Sequence, residues 1–261
     1  MVFSDFHFYS EVLGIQTAAY VLLPDPQVMA QSASPIPVLY LLHGLSDDQT
    51  MWLRQTRVEQ YARRYRVAVV MPAANRSFYM DMAHGPKYET FISRELPSVI
   101  ERYFPVCRKR VGRFIAGLSM GGYGALRLAL HHPGRYAAAA SISGCVEMEK
   151  GYETFRSRNP AIVEELDSIY GSERDLWRGP GSLFGLADRF LREPERAPRM
   201  YVACGTEDFL FEANEHFFSR FGKELPIEYH TEPGDHTWDF WDRHIERILA
   251  WLPLEKAEGV W

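Results

Sequence analysis

Every residue from Val38 to Leu42 is apolar or aromatic, and Val67–Met71 repeats the pattern. Near-continuous apolar runs return at Phe114–Gly117, Ala137–Ser143 and Met200–Cys204, and Ile227–Thr231 reads as a further strand. Runs of this length, without polar alternation, suit strands covered on both faces of a sheet. Between them lie stretches read as helices: Met51–Tyr65, Thr90–Phe104, Met120–His132 (stopped by Pro133), Asn214–Phe221 and Trp238–Trp251. Pro97 falls inside the second stretch and marks a turn or a kink there. Phe3–Ser10 and Ile15–Leu23, separated around Leu13-Gly14, read as an opening antiparallel pair. The expected fold class is α/β, with a mostly parallel eight-stranded sheet and helices on both faces. Lys150–Pro198 breaks the alternation with a charged, aromatic stretch containing Gly179-Pro180-Gly181. It is expected to be a helical insertion (150–198) over the carboxyl ends of the strands, within a single domain spanning 1–261.

The turn after the fifth strand carries the chemistry. Gly117-Leu118-Ser119-Met120-Gly121 joins the apolar run Arg113–Ala116 to a helix rich in small residues. G-x-S-x-G between a strand and a helix is the setting of a nucleophile elbow. Gly is required there because neighbouring backbone passes close to the serine, and because Gly tolerates unusual backbone angles. Ser119 would stand at the carboxyl end of its strand, above the free N–H groups of a helix N-terminus.

A serine hydroxyl becomes a good nucleophile only when a base takes its proton, and the base needs a carboxylate to fix its tautomer. Both partners should lie in loops just past later strands, in the order Ser, acid, His. Met200–Cys204 runs into Gly205-Thr-Glu-Asp208, so Asp208 is the preferred acid, with Glu207 its competitor. Ile227–Thr231 exits through Glu232-Pro-Gly-Asp to His236. Of nine histidines, only His236 follows the last strand in a Gly-containing loop. His131 and His132 suit a helix C-terminus, and His43 reads as structural. An oxyanion hole needs two backbone N–H groups: Met120, after the nucleophile, and Leu45, after Gly44 in the loop Leu41–Leu45. Trp52, Tyr79, Tyr88 and Trp238 are candidate substrate-binding aromatics. Arg76 would meet an anionic leaving group or pair with Asp47 or Asp48.

Composition narrows the partners. The 261 residues are 46% hydrophobic and 24% charged, with a net charge of −5, which argues against a nucleic-acid footprint. Cys107, Cys145 and Cys204 lack metal-type spacing, and no metal site is expected. No run approaches a membrane span and no signal peptide is evident, so a cytoplasmic location without membrane association is expected.

Four segments together resemble a known family: Leu41–Leu45, Ala116–Ala125, Cys204–Leu210 and Gly234–Trp241. They are similar to the putative-esterase branch of the α/β-hydrolases, and most similar within it to bacterial tributyrin esterases (acetyl esterases). S-formylglutathione hydrolases, feruloyl esterases and mycolyltransferases are related groups. The resemblance implies an α/β-hydrolase fold and a cofactor-free serine carboxylesterase acting on small short-chain acyl esters, often as a homo-oligomer. The family's nucleophile, acid and base fall on Ser119, Asp208 and His236, and its oxyanion donors on Leu45 and Met120. Asp47-Asp48 departs from the pattern, since small or uncharged residues are usual there; two acids would repel anionic substrates. The competing readings are an S-formylglutathione-type thioesterase, an acetyl or feruloyl esterase on plant-derived oligosaccharides, and a noncatalytic binding protein that kept a hydrolase fold.

Overall fold

Val38, Tyr40 and Leu42 of β3 (Val38–Leu42) point into one apolar layer, and Leu39 and Leu41 into another. Successive strand side chains face opposite sides, so an uninterrupted apolar run needs cover on both, and this sheet has it. The first layer packs Met120–His131 and the Leu96–Tyr103 helix against the sheet; the second packs Val58–Ala62 and Trp238–Trp251. The computed structural model describes residues 1–148, 150, 152, 157, 161–171 and 181–259.

Eight strands form one sheet in the order β1-β2-β4-β3-β5-β6-β7-β8. The remaining strands are β1 (Val2–Ser10), β2 (Ile15–Leu23), β4 (Ala68–Pro72), β5 (Arg113–Leu118), β6 (Ala138–Ile142), β7 (Arg199–Gly205) and β8 (Ile227–Glu232). From β4 through β8 every neighbouring pair is parallel, while β2 runs antiparallel to both β1 and β4. β5 sits in mid-sheet between β3 and β6, so the loops after β3, β5, β7 and β8 emerge at one edge.

Two helices differ from their sequence patterns. Met51–Tyr65 is two short helices, Met51–Gln55 and Val58–Ala62. Thr56 between them is extended (φ −132°, ψ 169°), and its hydroxyl accepts the Val58 N–H at 3.2 Å. Pro97 lies inside its helix, but the turn before it, Phe91–Glu95, is a π-turn in which the Leu96 N–H donates to the Phe91 carbonyl. That extra residue accommodates a proline, which has no N–H of its own.

Of the insertion expected at 150–198, positions 149, 151, 153–156, 158–160 and 172–180 in and beside it lie outside the described residues. Its described part includes the helices Ala161–Tyr170 and Leu183–Asp188, between β6 and β7. The Ala83 and His84 N–H groups donate to the Ile169 and Ser168 carbonyls at 2.9 and 2.8 Å. No helix among the described residues is long and apolar enough to cross a membrane.

Candidate active site

The chain turns from β5 into the Met120–His131 helix through one residue, Ser119, held at φ 52°, ψ −117°. A left-handed backbone is costly for a residue with a Cβ, so close contacts on either side must enforce it. A Cβ on Gly117 would collide with the backbone of Gly121, and a Cβ on Gly121 would stand 2.5 Å from the Leu42 carbonyl oxygen and 2.7 Å from that of His43. The glycines thus serve close approach, and the strained angle falls on the serine itself. The Ser119 N–H donates to the Ile142 carbonyl of β6 at 2.9 Å, tying the turn to the next strand.

The Ser119 side chain meets the two residues expected to join it. Its Oγ lies 3.0 Å from His236 Nε2, and His236 Nδ1 lies 2.9 Å from Asp208 Oδ2. An ionised carboxylate only accepts, so Nδ1 carries the proton and Nε2 is left to accept from the serine. Burial works to raise the Asp208 carboxyl, but the His236 hydrogen bond and charge, the Leu210 N–H and the Ser143 hydroxyl hold it below the usual carboxylate value. Glu207, the competing acid, points away; it accepts from the Gly234 N–H and the Thr206 hydroxyl. It braces the His236 loop from outside.

A cavity of about 230 Å³ opens beside Ser119 and His236. Leu45 and Met120, the expected oxyanion donors, both border it. Met120 is the first residue of its helix, where an N–H has no intrahelical acceptor. The loop that carries Leu45 is fixed from behind by buried groups. The Ala74 N–H donates to His43 Nε2 at 3.0 Å, so the proton sits on Nδ1 and is given to the Gly44 carbonyl at 2.7 Å. The Gly44 N–H donates to Asp47 Oδ2 at 3.1 Å, and the Asp47 N–H returns to the Gly44 carbonyl at 3.3 Å.

Three of the four expected substrate aromatics are elsewhere. The Trp52 indole N–H donates to the Leu42 carbonyl at 3.0 Å, and the Tyr79 hydroxyl to the His43 carbonyl at 2.9 Å. Both are fully buried and hold the Leu41–Leu45 loop rather than lining the cavity. The Tyr88 hydroxyl accepts from Asn75 Nδ2 at 2.6 Å beside a separate hollow shared with His7 and Gln16. Only Trp238 lines the Ser119 cavity, together with the unforeseen Phe78, Phe209 and Trp241. Phe78 and Tyr79 both have positive φ (47° and 57°), and this twist gives the cavity Phe78 where the sequence suggests Tyr79. Trp241 could have been found as the i+3 neighbour of Trp238. Arg76 pairs with neither Asp47 nor Asp48; it makes a two-point ion pair with Glu165 at 2.6 and 2.7 Å.

Cys145 also borders the cavity, and burial pushes its thiol up to about 12. It stays protonated at neutral pH and is no rival nucleophile. Among the described residues, one group could offer a metal three ligand atoms: Glu89, His131 and His132. Glu89 Oε1 already takes His131 Nδ1 at 2.6 Å and His132 Nε2 at 2.9 Å, and Oε2 takes the buried Arg127 guanidinium at 2.6 Å. With its charge balanced by Arg127, the cluster reads as an anchor for the far end of the Met120–His131 helix, away from Ser119.

A model of the family described as putative esterase matches residues 10–252. An acetyl esterase of Caldicellulosiruptor saccharolyticus is 30% identical over 272 residues, covering 97% of this chain and 98% of its own. Two solved structures of Staphylococcus aureus proteins are each 30% identical and cover 96% of this chain and 98% of theirs. One is the substrate-bound fluorophosphonate-binding serine hydrolase F, with a TM-score of 0.85; the other is an S-formylglutathione hydrolase apoenzyme, with a TM-score of 0.84.

Two outcomes follow from this packing. Gly121→Ala forces its methyl onto the Leu42 and His43 carbonyls, and overpacking of this kind costs about 1–3 kcal/mol. Thermal melting should show the loss, with esterase turnover also falling because the Leu41–Leu45 loop beside Ser119 is displaced; an unchanged melt and rate would contradict the close approach. His43 and His244 are both held neutral by burial, His43 below its usual 6.5 and His244 down to about 4. The unfolded chain protonates both near pH 6.5, so it gains protons that the folded state refuses. Stability in urea should therefore be full above pH 6.5 and fall between pH 6.5 and 4; a midpoint that stays level through that window would contradict the assignment.

Proposed function

The chain belongs to the putative esterase family, with the α/β-hydrolase fold and the activity of a carboxylic ester hydrolase, and on that premise we propose that it cleaves short-chain acyl esters through Ser119, His236 and Asp208. The observation that carries this reading is the unbroken relay from Ser119 Oγ through the His236 ring to the Asp208 carboxylate, at 3.0 and 2.9 Å. Ser119 Oγ attacks the ester carbonyl while His236 Nε2 takes its proton. Asp208 stabilises the resulting imidazolium without being protonated. The Leu45 and Met120 N–H groups receive the tetrahedral oxyanion, where fixed dipoles are worth most. His236 then protonates the leaving alcohol, and the same nitrogen activates water to release the acid.

The cavity bounded by the described residues, about 230 Å³, falls below the ~300 Å³ at which ordinary ligand pockets begin. It favours acetyl to butyryl groups over long chains. We assign 150–198 to the same single domain, as the cover of this face. The Arg76–Glu165 pair, between the loop after β4 and the Ala161–Tyr170 helix, supports that placement. The relative described as an S-formylglutathione hydrolase makes a thioester the second reading. The same nucleophile and base would serve either bond.

A series of p-nitrophenyl esters from acetate to octanoate tests the proposal. Turnover should peak at acetate or butyrate and fall roughly ten-thousandfold or more in Ser119→Ala. Because the serine and histidine act as one unit, Ser119→Ala with His236→Ala should lose little beyond either alone. Multiplying losses, or turnover that survives Ser119→Ala, would overturn the triad.

A further inference from the structure

The cavity beside Ser119 combines a carboxylate with an aromatic wall. Asp47 is half-buried in its lining, which Trp238, Trp241 and Phe209 share. The two indoles meet edge to face at 5.0 Å, with Trp241 edge-on to the His236 ring at 5.0 Å and Phe209 packed 4.7 Å from that ring. Among the described residues lining the cavity there is no Lys or Arg. Arg76, whose Nη1 contacts the Leu45 carbonyl at 3.5 Å, has its charge balanced by Glu165, and Arg54 acts on Asp48 rather than lining the cavity. Asp48, next in the chain, adds a second negative charge at the surface, its carboxylate engaged by the Thr50 N–H and hydroxyl.

Aromatic side chains sharing a cavity with a carboxylate, and no Lys or Arg among the described lining residues, are the chemistry that recognises an organic cation. The wall adjoins His236, the residue that would protonate the departing alcohol, so the cation belongs on the leaving-group side. We propose that the preferred substrates are short acyl esters of cationic alcohols, bearing a quaternary ammonium or protonated amine, with Asp47 as the charge that selects them. The inference rests on the esterase reading above and adds the substrate class to it. It also sets this cavity against thiol esters of net negative charge such as S-formylglutathione, whose two carboxylates outweigh its single ammonium.

The two structural duties of Asp47 can be separated. Its Oδ2 accepts the Gly44 N–H, a bond that an asparagine amide oxygen can also accept, so Asp47→Asn removes the charge and leaves the loop its hydrogen bond. The test compares kcat/KM for acetylcholine with that for 3,3-dimethylbutyl acetate, its uncharged isostere. The native chain should favour the cationic ester by about tenfold, and the advantage should shrink as salt is added. In Asp47→Asn the ratio should fall towards one. Equal rates for the two esters in the native chain, or a ratio that Asp47→Asn leaves intact, would overturn the inference. Should the variant not fold, the ratio and its salt dependence in the native chain decide alone. Turnover of the neutral ester that disappears in Ser119→Ala upholds the esterase reading whatever the ratio. Failure to hydrolyse either ester would overturn both.

Discussion

The turn at Ser119 places β5, the helix after it and the end of β3 within contact distance, leaving no room for a Cβ at Gly117 or Gly121. That closeness forces the serine backbone to φ 52° and lifts its side chain out of the sheet. It sets the helix N-terminus directly behind the Ser119 side chain, where its N–H groups need acceptors. It also presses the elbow against the Leu42 and His43 carbonyls, so Ser119 and the Leu41–Leu45 loop are positioned by the same contact. The parallel sheet holds this arrangement in its middle, with β3 and β6 paired to β5 through most of its length.

Around that turn, buried polar groups act as fixtures. His43 gives its Nδ1 proton to Gly44 and takes one from Ala74, while Trp52 and Tyr79 each donate to a carbonyl of the same stretch. A loop tied at this many points has little freedom left to lose when a substrate arrives, which is the preorganisation that the proposed oxyanion contacts need. The acid side is built alike. Asp208 is almost wholly buried, yet His236, Leu210 and Ser143 satisfy its carboxylate, so it keeps its charge in a dry setting. Ser143 also accepts the Trp241 indole N–H at 3.1 Å, linking the acid to the aromatic wall of the cavity.

Much of this was legible in the residues. Continuous apolar runs marked the central strands, because a strand covered on both faces shows no alternation. The placement of Ser119, Asp208 and His236 just after β5, β7 and β8 anticipated their meeting, which depends on chain order and not on side-chain detail. The break between Met51–Gln55 and Val58–Ala62 was hidden, since the apolar spacing is helical on both sides and the interruption is one extended threonine. The direction of the aromatic side chains was hidden as well. Trp52 and Tyr79 lie in or beside loops that suggest substrate contact, yet each has an indole or phenol donor that finds a buried carbonyl, and a buried donor must be satisfied. Which of two adjacent aromatics enters the cavity depended on the positive φ angles of Phe78 and Tyr79, which no hydrophobic pattern encodes. Adjacent His131 and His132 gave no sign that a distant Glu89 would draw both together.

The central claim is that Ser119 is the activated nucleophile, and covalent trapping addresses it without assuming any substrate. The native protein would be treated with a fluorophosphonate, digested, and the modified residue mapped by mass spectrometry, with Asp208→Ala treated in parallel. The account predicts one adduct, on Ser119, formed markedly more slowly when Asp208 no longer fixes the His236 tautomer. No adduct, an adduct on another side chain, or labelling of Ser119 at the same rate without Asp208 would contradict it.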